Sequence, residues 1–543
     1  MKYCVSKNDM MLLWKQTFGD VEEYISLVFN MYFCQENAQY KLRDGKLVSA
    51  MLSVPYRFCS MSLDSDNKNI SNSNIHNCER LYEDKCGINN CENSTNIDIN
   101  NKYFRNKFIK GLYLCGLSTL PEYRGNGIMS DMIDEINYSA SLKDFSFTFL
   151  VPANNGLRKY YADRQYVDVS YYTEEYYTDS HIFYNYDIDI LNINMSLVVD
   201  SDCVYYNYID THHGVYNDSI CIFDLCKYMI ANALLMINQC IDIYGDYIIG
   251  DYRQYFINVV NYIDKYCKYD AKEHVDRLYI INTVILVLCS YEFYLSNTYC
   301  VNKCVIRHSL RDYIAVLEES NISGGKILML LSNALENNKY VIKPVGLLFC
   351  SNIEESIATV KLLLADSEEF KSALLQKLKS FLPKDTKLTV RSTNGSSAIY
   401  APYRNVYDPV SCENIIPHEE VAVSSHAKKS FAMARITNLS EILKFVTELH
   451  PGTKFAILVE QDANVCNTGL FILKDAKVQH ISLADWERLN ATEKQRIVRD
   501  IDLYKLTLQE FARILWREPS KYSIVNEALS IPALPLHIAL LLE

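Results

Sequence analysis

The stretch that decides the fold is Leu117-Ser118-Thr119-Leu120-Pro121-Glu122-Tyr123-Arg124-Gly125-Asn126-Gly127-Ile128-Met129. Upstream of its turn, Gly111 to Leu120 (GLYLCGLSTL) is a mostly apolar run, as expected of a strand covered on both faces. Pro121 ends it. Arg124 to Gly127 form a glycine-containing turn, and Ile128 to Ser141 then carries apolar residues at Met129, Met132, Ile133 and Ile136, which is helical spacing. A strand that enters such a turn and leaves as a helix aims several backbone N–H groups at one point, at the positive end of the helix. This predicts a phosphate site built on Gly125, Asn126, Gly127, Ile128 and Met129, with glycines because side chains would hold the phosphates off. Arg124 can add a charge-assisted contact. A plain structural turn uses the same glycines, so context has to decide. P-loop and dinucleotide fingerprints both fail: no Gly-Lys-Ser/Thr follows the turn, and there is no G-x-G-x-x-G.

Outward from the turn, Phe145 to Val151 (FSFTFLV) is a second buried strand, Gly156 to Asp163 a short helix and Tyr166 to Tyr177 another strand. Strand, glycine turn, helix, strand, helix, strand is an α/β signature. Leu12 to Phe33 predicts two short helices broken near Gly19-Asp20, with Asp20 as N-cap, and Leu47 to Phe58 a strand. Ser60 to Asn101, dominated by Asn, Ser and Asp, is too poor in apolar residues to order itself and is expected to be a surface insertion. Ser180 to Glu336 is rich in Tyr, Ile, Asn and Cys; Ile222 to Leu295 looks predominantly helical, and no catalytic motif stands out there. Farther on, Lys343–Cys350 and Lys387–Ser392 are predicted strands, Asn352–Leu364 and Glu368–Phe381 predicted helices. A final unit from about His426 has strands through Met433–Ile436, Lys454–Glu460 and Thr468–Leu473. Its helices are expected over Leu439–Glu448, Thr492–Asp500 and Thr507–Arg517.

The bulk numbers bound the function. At 543 residues the chain exceeds one ordinary hydrophobic core, so two to four domains are expected. A net charge of −12 argues against nucleic acid as the partner, because phosphate neutralisation needs clustered Lys and Arg. The 18 cysteines are scattered, the N-terminus lacks the apolar segment of a signal peptide, and the longest apolar run, Leu278–Tyr291, is too short to span a bilayer. Together these predict reduced thiols in a cytoplasmic protein without a membrane span. His76, Cys78, Cys86 and Cys91 lack a paired C-x-x-C, so no metal is expected. Cys300 and Cys304, four apart, are expected on one helix face.

Arg124-Gly-Asn-Gly127-Ile-Met129, preceded by Pro-Glu-Tyr, resembles motif A of the GNAT N-acetyltransferases, R/Q-x-x-G-x-G/A, with Met129 at the final Gly/Ala position. Asn154-Asn-Gly-Leu-Arg-Lys-Tyr-Tyr161-Ala-Asp-Arg-Gln-Tyr166 is similar to motif B, with Gln165-Tyr166 in place of the usual Gly-Phe. Gly-Ile-Met and the opening Leu13-Trp-Lys-Gln-Thr-Phe-Gly-Asp20 look like the branch typified by the enhanced intracellular survival (Eis) acetyltransferases. The resemblance implies a mixed α/β architecture in three parts: a GNAT mixed sheet flanked by helices over 1–180, a degenerate GNAT-like domain with a helical insertion over 181–400, and a sterol-carrier-like α+β domain over 401–543. It also implies transfer of acetyl from acetyl-CoA, as co-substrate, to a primary amine of a small molecule or lysine side chain by direct attack, and a homo-oligomer.

By that resemblance, backbone at Leu117, Ser118 and Thr119 holds the pantetheine and polarises the thioester, and Tyr161 is the general acid; in a chain with 42 tyrosines, a purely structural Tyr161 is the competing reading. Asn154 either bonds the pantetheine arm or caps a loop. Gly111 to Leu120 holds no Asp or Glu, so the resemblance puts the base at the terminal carboxylate of Glu543, against a frayed terminus with deprotonation by water. Two rival readings stand beside the enzyme: a non-catalytic acyl-CoA or lipid-binding protein with a vestigial cleft, and a tandem-GNAT aminoacyl-tRNA-dependent transferase, which the acidic balance opposes.

Overall fold

The computed structural model describes residues 5–63, 104–177, 195–199, 204–208, 304–307, 322–336, 339–351, 357–365, 368–383, 386–392, 398–399, 429–516 and 531–538, with single positions 312, 315 and 319. His76, Cys78, Cys86, Cys91, Cys300, Glu543 and the helical stretch expected over 222–295 lie outside the described residues.

Two helices open the chain, α1 (Lys7–Phe18) and α2 (Glu22–Tyr32). Ser6 and Asp9 cap α1 reciprocally, and Gly19 ends it at φ 76°. The break falls where the sequence puts it, but Asp20 is not the cap of α2. Val21 holds that position, and the Asp20 carboxylate accepts the indole N–H of Trp14 at 2.7 Å. Strands β1 (Ala38–Arg43), β2 (Lys46–Leu63) and β3 (Phe104–Thr119) follow, then α3 (Ile128–Leu142), β4 (Phe147–Leu150), α4 (Asn155–Ala162) and β5 (Val167–Tyr177). β2 runs to Leu63, past residue 60, where the insertion was expected to begin.

The later elements include β6 (Lys326–Glu336), β7 (Lys339–Ser351), β8 (Ile357–Ala365), α5 (Glu368–Phe381), β9 (Lys387–Ser392), β10 (Lys429–Ile436) and α6 (Leu439–Leu449). Most of the predicted helix Asn352–Leu364 is strand β8. Ile357, Thr359 and Val360 are β-branched, and β8 has a partner on each side, antiparallel to β7 and parallel to β9. Cys304, expected on a helix, opens the strand Cys304–Arg307, which pairs antiparallel with β2. A separate four-stranded sheet is formed by β11 (Phe455–Val459), β12 (Gly469–Lys474), β13 (Lys477–Ile481) and β14 (Leu503–Lys505), and α9 (Leu508–Trp516) follows the short helices α7 (Leu483–Arg488) and α8 (Ala491–Ile497). Neither β13 nor α7 was anticipated.

Among the described residues the main sheet has 15 strands, with β2, β3, β4, β10, β5, β9, β8, β7 and β6 side by side. β10 lies antiparallel between β4 and β5, with Ile436 opposite Phe147 and Ala434 opposite Val167. The N-terminal half of β5 pairs with β10 and its C-terminal half with β9, so one strand joins the two parts of the sheet. Every residue of β4 is buried, because both faces are covered. Phe147 and Phe149 pack with Phe58 on one face, where Trp516 of α9 closes the core 5.9 Å from Phe147 between ring centres. On the other, Thr148 hydrogen-bonds Asn137 of α3 at 2.6 Å and Tyr166 at 2.9 Å. Among the described residues, no helix is long and apolar enough to cross a membrane.

Candidate active site

The site starts where two parallel strands part. β3 and β4 are in register only from Gly111–Phe147 to Tyr113–Phe149. β3 continues six residues farther, still paired with β2 through Thr119, while β4 ends at Leu150. The edge of Leu114–Thr119 that faces β4 therefore borders a V-shaped gap. Gly116 sits in this segment at φ 62°, and a Cβ there would lie 2.1 Å from the Trp14 ring, so only glycine lets α1 settle on the strand. The Ser118 hydroxyl donates to the Ala50 carbonyl at 3.1 Å, and Ser49 reaches the Ser118 carbonyl and the Thr119 hydroxyl. Both side chains are thus tied toward β2, on the side away from the gap. Leu117 lines the gap itself.

Beyond Thr119, Pro121–Tyr123 make one turn of 3-10 helix, and Gly125 and Gly127 follow at φ 79° and 77°. A Cβ at either glycine would meet nothing within 4 Å. The backbone conformation demands glycine here, and the space above the turn is open to a ligand. Gly127 caps α3 without a side-chain hydrogen bond, and the first intrahelical bond runs from Asp131 N–H to Gly127. The N–H groups of Ile128, Met129 and Ser130 have no acceptor inside the helix by position. These open glycines, unpaired amides and a helix N-terminus fit a diphosphate. Arg124 is exposed, its Nε donating to the Thr119 carbonyl at 3.0 Å, and Asn126 donates to the Tyr123 carbonyl at 3.2 Å.

The gap opens into a cavity of about 440 Å³ that Tyr161 of α4 shares with Leu117 and Trp14. Tyr161 is buried, and its hydroxyl has no hydrogen-bond partner among the described residues. Burial, seconded by Tyr166 and Tyr160, pushes its pKa up, so it stays a protonated phenol at neutral pH. Its neighbour Tyr160 is held under the Arg164 guanidinium at 3.5 Å and bonds Ser130 at 3.1 Å, which ties α4 to the first turn of α3. Asn154 caps α4, its Oδ1 accepting from Leu157 N–H at 2.9 Å.

Sequence reasoning missed three features of this cavity. Cys115 lines it, and burial pushes its thiol up to about 12, so a thiolate nucleophile is disfavoured. Glu319 and Lys361 form an ion pair at 2.6 Å on the wall, both largely shielded. Asp312, 3% exposed, accepts hydrogen bonds at 2.8 Å from both Tyr32 of α2 and Tyr56 of β2. Asp312, Ala315, Glu319 and Ile322 are helical positions three, four and three residues apart, so they share a helix face. That spacing was the available signal. Among the described residues, no group of three or more His, Cys, Asp or Glu could hold a metal ion.

No protein-family profile matches the chain, and no curated protein does. Solved structures do. A conserved protein of unknown function from Enterococcus faecalis V583, termed a probable N-acyltransferase, aligns over 98% of this chain and 96% of its own, with 11% identity and a TM-score of 0.53. A GCN5-related N-acetyltransferase from Anabaena variabilis ATCC 29413 aligns over 98% and 95%, with 11% identity and a TM-score of 0.48. Eis1 from Mycobacterium abscessus aligns over 99% and 97%, with 8% identity and a TM-score of 0.45. The Enterococcus protein alone of these three exceeds 0.5, and at 11% identity the likeness is one of fold: a mixed α/β architecture, with mixed sheets flanked by helices.

Proposed function

We propose that this chain is an N-acetyltransferase that transfers acetyl from acetyl-CoA to a primary amine of a small molecule or lysine side chain, by direct attack with both substrates bound. The observation that carries the reading is the parting of β3 from β4 beside an open glycine turn, with a buried phenol in the same cavity. Acetyl-CoA supplies the activated thioester. The backbone of Gly125 to Met129 would hold its diphosphate, with Arg124 close by, and the free edge of Leu117–Thr119 its pantetheine arm. Tyr161, kept protonated by burial and with its hydroxyl uncommitted, is suited to donate a proton to a departing thiolate. Cys115 stays a thiol, which favours direct transfer over an acyl-cysteine route.

Two carboxylates could take the proton from the amine: that of Glu543, which the family resemblance implies, and one inside the cleft that is taken up below. The three-domain division, the sterol-carrier likeness of the C-terminal unit, a homo-oligomer and a cytoplasmic location belong to the same proposal. The test is release of coenzyme A thiol from acetyl-CoA over a panel of polyamines, aminoglycosides and peptide amines. The expected result is turnover with at least one class, falling about 100-fold or more in Tyr161→Phe with coenzyme binding retained. Coenzyme binding without turnover on any amine would replace the enzyme by a binding protein.

A further inference from the structure

Asp312 reaches the cleft from far along the chain and is almost wholly buried, yet two phenolic O–H groups converge on one of its oxygens at 2.8 Å each. A buried carboxylate is costly unless it is hydrogen-bonded, so this arrangement needs the two tyrosines. Tyr32, Tyr56 and Asp312 line the cavity that also holds Tyr161 and Leu117. Tyr32 and Tyr56 also hydrogen-bond each other; a phenol oxygen has two lone pairs, so one that donates to a carboxylate and accepts from its neighbour can still take an N–H from a third group. We propose that Asp312, acting through the hydroxyls of Tyr32 and Tyr56, takes the proton that the acceptor amine must lose before it attacks. This rests on the acetyltransferase reading.

An ammonium gives one N–H proton to a phenol oxygen while that phenol passes its own proton to Asp312. The freed lone pair forms the C–N bond as the thioester C–S bond breaks. The nitrogen then returns a second proton to Tyr161, which has given its own to the thiolate. The products are an amide and a thiol, with one proton left on Asp312 for release to solvent. The two phenols are not bases of their own, because burial first and the Asp312 charge second disfavour their phenolate forms; each keeps a proton and only relays one to Asp312. Among the described residues, the other titratable or charged groups around the cavity are Tyr24, Tyr113 and Cys115, the Glu319–Lys361 pair, and Asp20, which is bonded to Trp14.

The experiment compares Asp312→Asn, Tyr56→Phe and a chain truncated before Glu543 with the parent, using the best acceptor from the panel above. Asn keeps an oxygen for both tyrosines, so Asp312→Asn should melt near the parent temperature and bind coenzyme A unchanged. Its kcat/KM for the amine should fall about 100-fold or more at pH 7 and recover tenfold per pH unit toward the pKa of the free amine, because only the fraction already deprotonated can react. Tyr56→Phe leaves Tyr32 in place and should show the same pH signature with a smaller loss; it serves if the Asn variant does not fold. A loss equal at every pH, or no loss, overturns the role of Asp312 while the enzyme reading stands. The pH-dependent loss appearing in the truncated chain and not in Asp312→Asn assigns the base to the C-terminus and overturns it too. Absence of turnover in the parent chain removes the acetyltransferase reading itself.

Discussion

Replacing Gly127 by Ala separates the cost of a strained turn from the loss of a ligand. Gly127 sits at φ 77° with no atom within 4 Å of the position a Cβ would take. An L-residue in that region costs about 1–2 kcal/mol, and no crowding adds to it, so unfolding stability should drop by about that much. The methyl group would stand in the open space over the turn and push a phosphate off the backbone N–H groups. One charge-assisted hydrogen bond lost is about 1.5–3 kcal/mol, which is roughly a ten- to hundred-fold weaker Kd for coenzyme A. Calorimetric titration with coenzyme A and with pantetheine, which lacks the diphosphate, makes the comparison. Coenzyme A should weaken and pantetheine should not; Gly125→Ala, at φ 79° and equally open, should behave alike. If Gly127→Ala binds coenzyme A as the parent does, or weakens both ligands equally, the turn is not the diphosphate cradle.

Gly116→Ala should be far more damaging: positive φ and a Cβ 2.1 Å from the Trp14 ring together cost about 2–5 kcal/mol, read by urea denaturation. Arg158 joins α4 to β10, bonding the Asp168 carboxylate and both the hydroxyl and the carbonyl of Ser430. Arg158→Ala should therefore cost about 1–3 kcal/mol and raise amide exchange in β10 before the rest of the sheet. At pH 8, iodoacetamide should label exposed Cys466 and spare Cys115, whose thiol burial holds near 12; peptide mass mapping reads the difference.

The strand–turn–helix unit was legible because its signals are local. Pro121 stops a strand, two glycines take positive φ, and the apolar spacing of α3 follows at once. Asn352–Leu364 misled because Glu354, Glu355, Ala358 and Lys361 favour a helix, while pairing to β7 and β9 decided for a strand. Asp20 looked like a cap from its place after Gly19, but the indole of Trp14 claims it. Asp312 carries no motif of its own, and its partners Tyr32 and Tyr56 lie more than 250 residues away, so only the tertiary fold brings the three together. The place of β10 was illegible for the same reason: its sequence says strand, but not between which neighbours.

That place has a consequence for how the protein is made. β10 stands within the sheet that carries the glycine turn, yet it is synthesised about 260 to 290 residues after its partners in the strands on either side of it. Until residue 436 leaves the ribosome, β4 and β5 present bare backbone edges to each other across an empty slot, an invitation to pairing with the wrong chain. The nascent N-terminal half needs shelter for that interval, and a fragment ending at residue 180 has no means of ever filling the slot itself.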